Sequence, residues 1–230
     1  MMAQKIIYSC RSFAKSVYIF PLILFLICIP PGSADSRDKW HQPDKVMDVM
    51  GVQEGMIIGE VGAGRGYFTF KLARRVGNSG RVYANDISKS ALQALRKRCR
   101  NEGVSNIETI EGEVDNPLLP NNLDMVFIVN AFHDFAAPVA LLNNLSQSLK
   151  PNAPVVIMDR DPTRLNYSST HFMTKEEVLR KIEESVFVLD RIEIFLPQHN
   201  IYILRLMPET SQIKSYTTHL HQSPLMNNPS

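Results

Sequence analysis

Five consecutive apolar residues, Met125-Val126-Phe127-Ile128-Val129, constrain this chain more than any other stretch. A strand with one wet face alternates polar and apolar residues, so an unbroken run must be covered on both sides. Other strand-like runs recur at 56–61, 81–86, 107–111 and 154–159. Segments of helical spacing lie between them. Residues 67–76 place Phe68, Leu72 and Val76 on one side and stop at Gly77. Ser88 suits the N-cap of a helix running to about Glu102, with Gly103 closing it. Residues 138–149 put Leu141, Leu142 and Leu145 inward, and Thr174 with Glu177 forms a capping box for a helix to about Glu184. A further helix is expected over 40–50, with Pro43 in its first turn and Gly51 after it. This alternation predicts an α/β fold, a doubly wound and mostly parallel sheet with helices on both faces. Residues 186–195 and 201–206 read as strands with no helix between them, which predicts an antiparallel hairpin at the C-terminal edge.

The first 34 residues differ from the rest. Lys5, Arg11 and Lys15 precede an uncharged stretch over 17–29; Pro30-Pro31 then breaks any helix, and Gly32-Ser33-Ala34 offers small residues for cleavage before Asp35. Thirteen residues are short for a membrane span, which needs about 20. Residues 1–34 are therefore expected to be a signal peptide directing export to the periplasm or medium, with an uncleaved N-terminal anchor as the alternative. Membrane contact is expected only through that segment if it is retained. Residues 35–207 form the expected domain, and 208–230, rich in Ser, Thr, Asn, Gln and Pro, a disordered tail.

Of 25 basic residues, three lie in the leader, leaving 22 against 23 acidic ones in the body. A near-neutral body argues against a nucleic-acid backbone footprint, and no nucleic-acid partner is expected. The body keeps one cysteine, Cys99, so it forms no internal disulfide.

The chemistry centres on Glu60-Val61-Gly62-Ala63-Gly64-Arg65-Gly66-Tyr67, between an expected strand and an expected helix. In the dinucleotide fingerprint the third glycine stands three residues after the second. Here that place is taken by Tyr67, and Gly66 comes one residue early. Glu60 would repel a phosphate but could accept from an ammonium group, so the loop suits an amino-acid tail better than a pyrophosphate. Asp86 ends the second strand, where a carboxylate can accept both hydroxyls of a ribose.

On these residues the chain resembles the class I S-adenosylmethionine-dependent methyltransferases over about 40–207. It is most similar to small, often exported bacterial methyltransferase-domain proteins that end in Phe-Leu-Pro and a last hydrophobic strand, here Phe195-Leu196-Pro197 and 201–206. The resemblance implies a seven-stranded sheet with an antiparallel last pair, and S-adenosyl-L-methionine as cofactor. It implies that Glu60, Gly62, Ala63, Gly64 and Gly66 line the methionine part, that Asp86 holds the ribose and that Ile87 packs on the adenine. Glu113 would accept from the adenine amino group, the Val114 N–H would face the ring, and Asn130 would join the cofactor set. Glu60 and Glu113 stand where the family more often has Asp, and Arg65 where it has a small residue. Arg65 either crowds the loop or pairs with Glu60.

Methyl transfer uses an activated reagent, so the protein mainly supplies proximity and orientation. In an open parallel sheet the ligand crevice lies beyond the strand C-termini, which selects Asn130, Phe132, His133, Asp134, Asp159 and Asp161. His133 is the expected general base. Asp159-Arg160-Asp161-Pro162 reads as a solvated loop with an internal ion pair, so no metal is assigned. His171 either covers the substrate or stands in solvent, and the other histidines form no visible constellation. The expected function is methyl transfer to a small molecule or an exposed protein group. A non-catalytic binder of the same fold and a nicotinamide-dependent oxidoreductase are the rivals; the glycine spacing and Glu60 disfavour the latter.

Overall fold

The computed structural model describes residues 35–165 and 167–208. The leader, Asn166 and the tail beyond Pro208 lie outside the described residues. The chain runs α1 (Asp38–His41), α2 (Pro43–Met50), β1 (Ile57–Val61), α3 (Thr69–Val76), β2 (Arg81–Asp86), α4 (Lys89–Glu102), β3 (Ile107–Glu111), β4 (Met125–Val129), α5 (Pro138–Leu145), β5 (Val155–Arg160), α6 (Lys175–Glu183), β6 (Phe187–Glu193) and β7 (His199–Leu206). Short 3₁₀ turns cover Phe132–Asp134, Ser146–Ser148 and Pro162–Arg164.

The seven strands stand in the order β3-β2-β1-β4-β5-β7-β6. β1 to β5 are parallel, and β7 lies antiparallel between β5 and β6. β4 sits at the centre with every residue buried, as its composition required. Its side chains divide by parity: Met125, Phe127 and Val129 join the core with Phe68, Leu72 and Val76 of the α3 side. Val126 and Ile128 join Leu141, Leu142, Val178 and Ile182 from α5 and α6. Each large side chain buried here contributes about 1.5–3 kcal/mol.

Local rules set the element ends. Ser88 accepts from the Ala91 N–H at 3.3 Å, and Thr174 and Glu177 make the reciprocal capping pair. The single helix expected over 40–50 is broken: Gln42 has φ 41°, in the left-handed region, immediately before Pro43. A residue before proline is disfavoured in the right-handed helical region, so α1 turns independently of α2. The α5 helix ends earlier than expected, where the Ser146 hydroxyl bonds the Asn143 carbonyl and the chain tightens to 3₁₀. β7 begins two residues before the expected 201, because Arg160 pairs with His199 and Asp159 with Asn200 across the β5–β7 ladder. Arg164 donates to the carbonyls of Ile194, Leu196 and His199, which ties down the Phe195-Leu196-Pro197 turn.

Candidate active site

Strand order reverses between β1 and β4, and the loops leaving their C-terminal ends part there. Two clefts open at this point. The first, about 310 Å³, is lined by Gly62, Asp86, Ile87, Glu113, Val114 and Asn130, with Asp134 and Phe135 at its side. The second, about 380 Å³, is lined by Glu60, Gly62, Ala63, Gly64, Arg65 and Asn130, with Arg37, His41, Tyr67 and Arg98. Gly62 and Asn130 belong to both. Every expected cofactor residue except Gly66 therefore borders one cleft or the other.

Gly62, Gly64 and Gly66 have φ of 75°, 56° and 84°. A Cβ on Gly62 would stand 2.4 Å from that of Ala131, whereas one on Gly64 would meet nothing within 4 Å. The loop is thus closed against the β4 side and open where a ligand would lie. Gly66 supports the turn from below: its N–H bonds the Ala63 carbonyl, and a Cβ there would strike Leu95.

Asp86 has a second task. Its Oδ2 accepts from the Gly64 N–H at 2.7 Å and its Oδ1 from the Ser88 N–H at 2.8 Å, so it binds the glycine loop to the end of β2. Ile87 and Val114 are 61% and 53% exposed, two apolar side chains facing open space on the first cleft.

Glu60 is buried at the wall of the second cleft. It is 2% exposed, and its Oε2 has no partner among the described residues. Burial raises its pKa to about 8; the Thr69 hydroxyl lowers it by less, and Asp86 adds a small upward push. Burial thus favours the neutral carboxyl, and an ammonium group beside it would favour the ionised form. Arg65 is exposed on the second cleft and makes no ion pair with Glu60.

At the end of β4, Asn130 has φ 50°, a conformation asparagine tolerates. Its Nδ2 donates to His41 Nε2 at 2.9 Å, and its Oδ1 accepts from His199 Nε2 at 3.0 Å. His41 is held at about pKa 4, by burial first and then by Arg160 and Arg37. His199 is held at about 3 by burial, then by His41, Arg160 and Arg164. Both stay neutral at physiological pH. These two histidines, which formed no constellation in sequence, are brought onto one carboxamide by the α1 turn and the β7 register.

Asp159-Arg160-Asp161-Pro162 is not a solvated loop with an internal pair. Asp159 is 3% exposed; it accepts His133 Nδ1 at 2.7 Å on Oδ1 and the His133 backbone N–H at 3.0 Å on Oδ2. Asp161 is also buried and accepts from the Thr163 N–H and hydroxyl and from Asn200 Nδ2. Burial alone would lift the Asp161 pKa; those hydrogen bonds outweigh it and hold it low. The His133 side chain is 4% exposed. Burial works against its protonation, but the hydrogen bond and charge of Asp159 prevail and raise its pKa. His171 is exposed, with its ring edge-on to His133 at 4.7 Å between centroids.

A family described as "Methyltransferase domain" matches residues 53–217. The chain belongs to that family. Its sheet is the one shared by S-adenosylmethionine-dependent methyltransferases. A solved example from Aquifex aeolicus superposes with a TM-score of 0.71 at 25% identity, covering 76% of this chain and 94% of that one. Among curated relatives, the demethylmenaquinone methyltransferase of Bacillus velezensis is 27% identical over 143 residues, 61% of this chain and 60% of its own. The ubiquinone/menaquinone biosynthesis C-methyltransferase of Enterobacter sp. strain 638 is 29% identical over 115 residues, 49% of this chain and 46% of its own. The chain spans about half to three-fifths of the length of these relatives. The cofactor of this family member is S-adenosylmethionine, and the open glycine cradle beside an unpartnered buried carboxyl oxygen is compatible with its amino-acid end.

Proposed function

We propose that this protein transfers the methyl group of S-adenosylmethionine to a small molecule, with an oxygen-bearing ring of the quinone kind as the first class to test. The observation that carries the reading is the meeting of the two clefts at Gly62 and Asn130. One cleft has the Asp86 carboxylate and two exposed apolar walls for a nucleoside; the other has Glu60 and the glycine loop for an amino-acid tail. The sulfonium would then lie where they join. Relatives named for demethylmenaquinone and for ubiquinone/menaquinone support the acceptor class.

His133 serves turnover at the acceptor end. As a free imidazole with Nδ1 committed to Asp159, it presents Nε2 to take the acceptor's proton. Export through residues 1–34 belongs to the same proposal; protein from the native host then begins near Asp35, and an intact mass retaining the leader would favour the anchor.

Calorimetric titration with S-adenosylmethionine, S-adenosylhomocysteine and NAD tests the core of the reading. The expected result is binding of the first two, weakened by about 1–3 kcal/mol in Asp86→Ala through lost charged hydrogen bonds. Binding of NAD without S-adenosylhomocysteine would overturn it.

A further inference from the structure

The His133 ring stands among polar neighbours beside the first cleft, which Asp134 lines. Its Nε2 makes no hydrogen bond among the described residues and lies 3.5 Å from Asp134 Oδ2. His171 Nε2 lies 3.7 Å from the other oxygen, Asp134 Oδ1. One donor atom from each of the three residues falls within 4.8 Å of the other two. His133 and Asp134 come from the 3₁₀ turn after β4, and His171 from the segment between β5 and α6.

The support behind His133 shows which way its ring is set. In the neutral imidazole, the 2.7 Å contact with the Asp159 carboxylate favours the proton on Nδ1 and the lone pair on Nε2. Asp159 is itself held by the backbone N–H groups of His133 and Arg160. Phe172 packs edge-on against both imidazoles, 4.7 Å from His133 and 4.8 Å from His171. A nearly buried imidazole, oriented by a buried carboxylate and presenting an unbonded nitrogen to a second imidazole and a carboxylate, has the outer-shell arrangement of metal-binding histidines.

We propose that His133 Nε2, Asp134 and His171 Nε2 bind one divalent transition-metal ion, with Asp159 as the outer carboxylate that positions His133. Two nitrogens and one carboxylate suit Zn²⁺ or Fe²⁺; Mg²⁺ and Ca²⁺ favour all-oxygen sets. Tetrahedral Zn²⁺ with bonds of about 2.0–2.1 Å sets donors about 3.4 Å apart. The His133–Asp134 separation already meets this, and the exposed His171 side chain has room to close the rest. Three protein ligands leave a position for water or for another oxygen.

Asp134 also lines the first cleft, so that open position borders the methyl-transfer site. This last step rests on the function proposed above. An acceptor hydroxyl bound there would be acidified by the ion and lose its proton to solvent. His133 would then act as a ligand, in place of the general base it is in the metal-free protein.

The test uses the full chain, stripped with chelator and dialysed. Zn²⁺ is titrated by calorimetry, and Co²⁺ is followed by its visible absorption. The expected result is one ion per chain. Asp134→Asn and His171→Ala, both at exposed side chains, should each weaken binding at least tenfold. Asp159→Asn should weaken it about 10–100-fold. Absence of saturable one-to-one binding, or an affinity unchanged in His171→Ala and Asp134→Asn, would overturn the proposal. S-adenosylhomocysteine is titrated into the same samples. Its binding without ion binding removes the metal site alone; ion binding without it removes the methyltransferase reading alone.

Discussion

The two sides of the switch point are built differently. The cofactor side uses backbone: three glycines with positive φ, the Ala63 N–H on the Asn85 carbonyl, and Asp86 holding the loop from one strand away. The acceptor side proposed above, and the Asn130 junction next to it, use side chains from distant elements. Asn130 meets His41 across 89 positions and His199 across 69, and His133 meets Asp159 across 26. A backbone site tolerates varied side chains but not a Cβ in the wrong place. A side-chain network tolerates backbone adjustment but not the loss of one partner.

The largest expected effect breaks the acceptor side alone. His133→Ala should lower kcat by about 10²–10⁴ and leave S-adenosylhomocysteine affinity within a few-fold. His133→Asn, which keeps a donor toward Asp159, should restore stability to urea without restoring kcat. Normal turnover in either variant would make His133 structural and erase the division of labour.

The next breaks the cofactor side. Gly62→Ala introduces a left-handed alanine, which costs about 1–3 kcal/mol, and a clash with Ala131 of similar size. Urea unfolding should show the loss, and calorimetry should show S-adenosylhomocysteine binding weakened with it. Unchanged binding would mean that the loop relaxes and the cofactor side is less rigid than its geometry implies.

The smallest effect sharpens the comparison through pH. His41 and His199, at about 4 and about 3 in the fold, lie below the ordinary 6.5. The unfolded chain binds more protons in that interval, so their contribution is present above pH 6.5 and lost as pH falls through the folded values. Glu60 on the cofactor side runs oppositely. Raised from 4.5 to about 8, it favours the fold at low pH and loses that contribution as pH rises through 8. His199→Gln retains a donor toward Asn130 and should shrink the drop in Tm between pH 7 and pH 4.5. Glu60→Gln should leave that drop and flatten the alkaline limb. Identical profiles for the two variants would show that the sides are not independent.

Much of the frame was legible in the sequence. The unbroken run of β4, the caps at Ser88 and Thr174, the glycine loop and Asp86 at its strand end are local patterns, and local sterics and hydrogen bonding suffice to interpret them. The α1–α2 break was missed because the helical spacing of 40–50 outweighed the restriction that Pro43 places on Gln42. The Asp159–Pro162 segment was misread because two acids flanking an arginine suggest solvent. Nothing in that stretch announces that His133 and Asn200 wait in the core to take those carboxylates.

The sequence by itself determined the alternation of strands and helices, the switch-point loop, and the carboxylates at the ends of β1 and β2. Each is encoded within one element and its turn. Only the tertiary structure decided that Asn130 stands between His41 and His199, that Asp159 orients His133, and that His171 stands edge-on to the His133 ring. The Asn130 contacts depend on the antiparallel register of β7 against β5 and on the placing of α1, and the His133–Asp159 contact on the parallel register of β4 against β5. Burial across the whole core selects those registers and that packing, and no short stretch of sequence carries a signal for either.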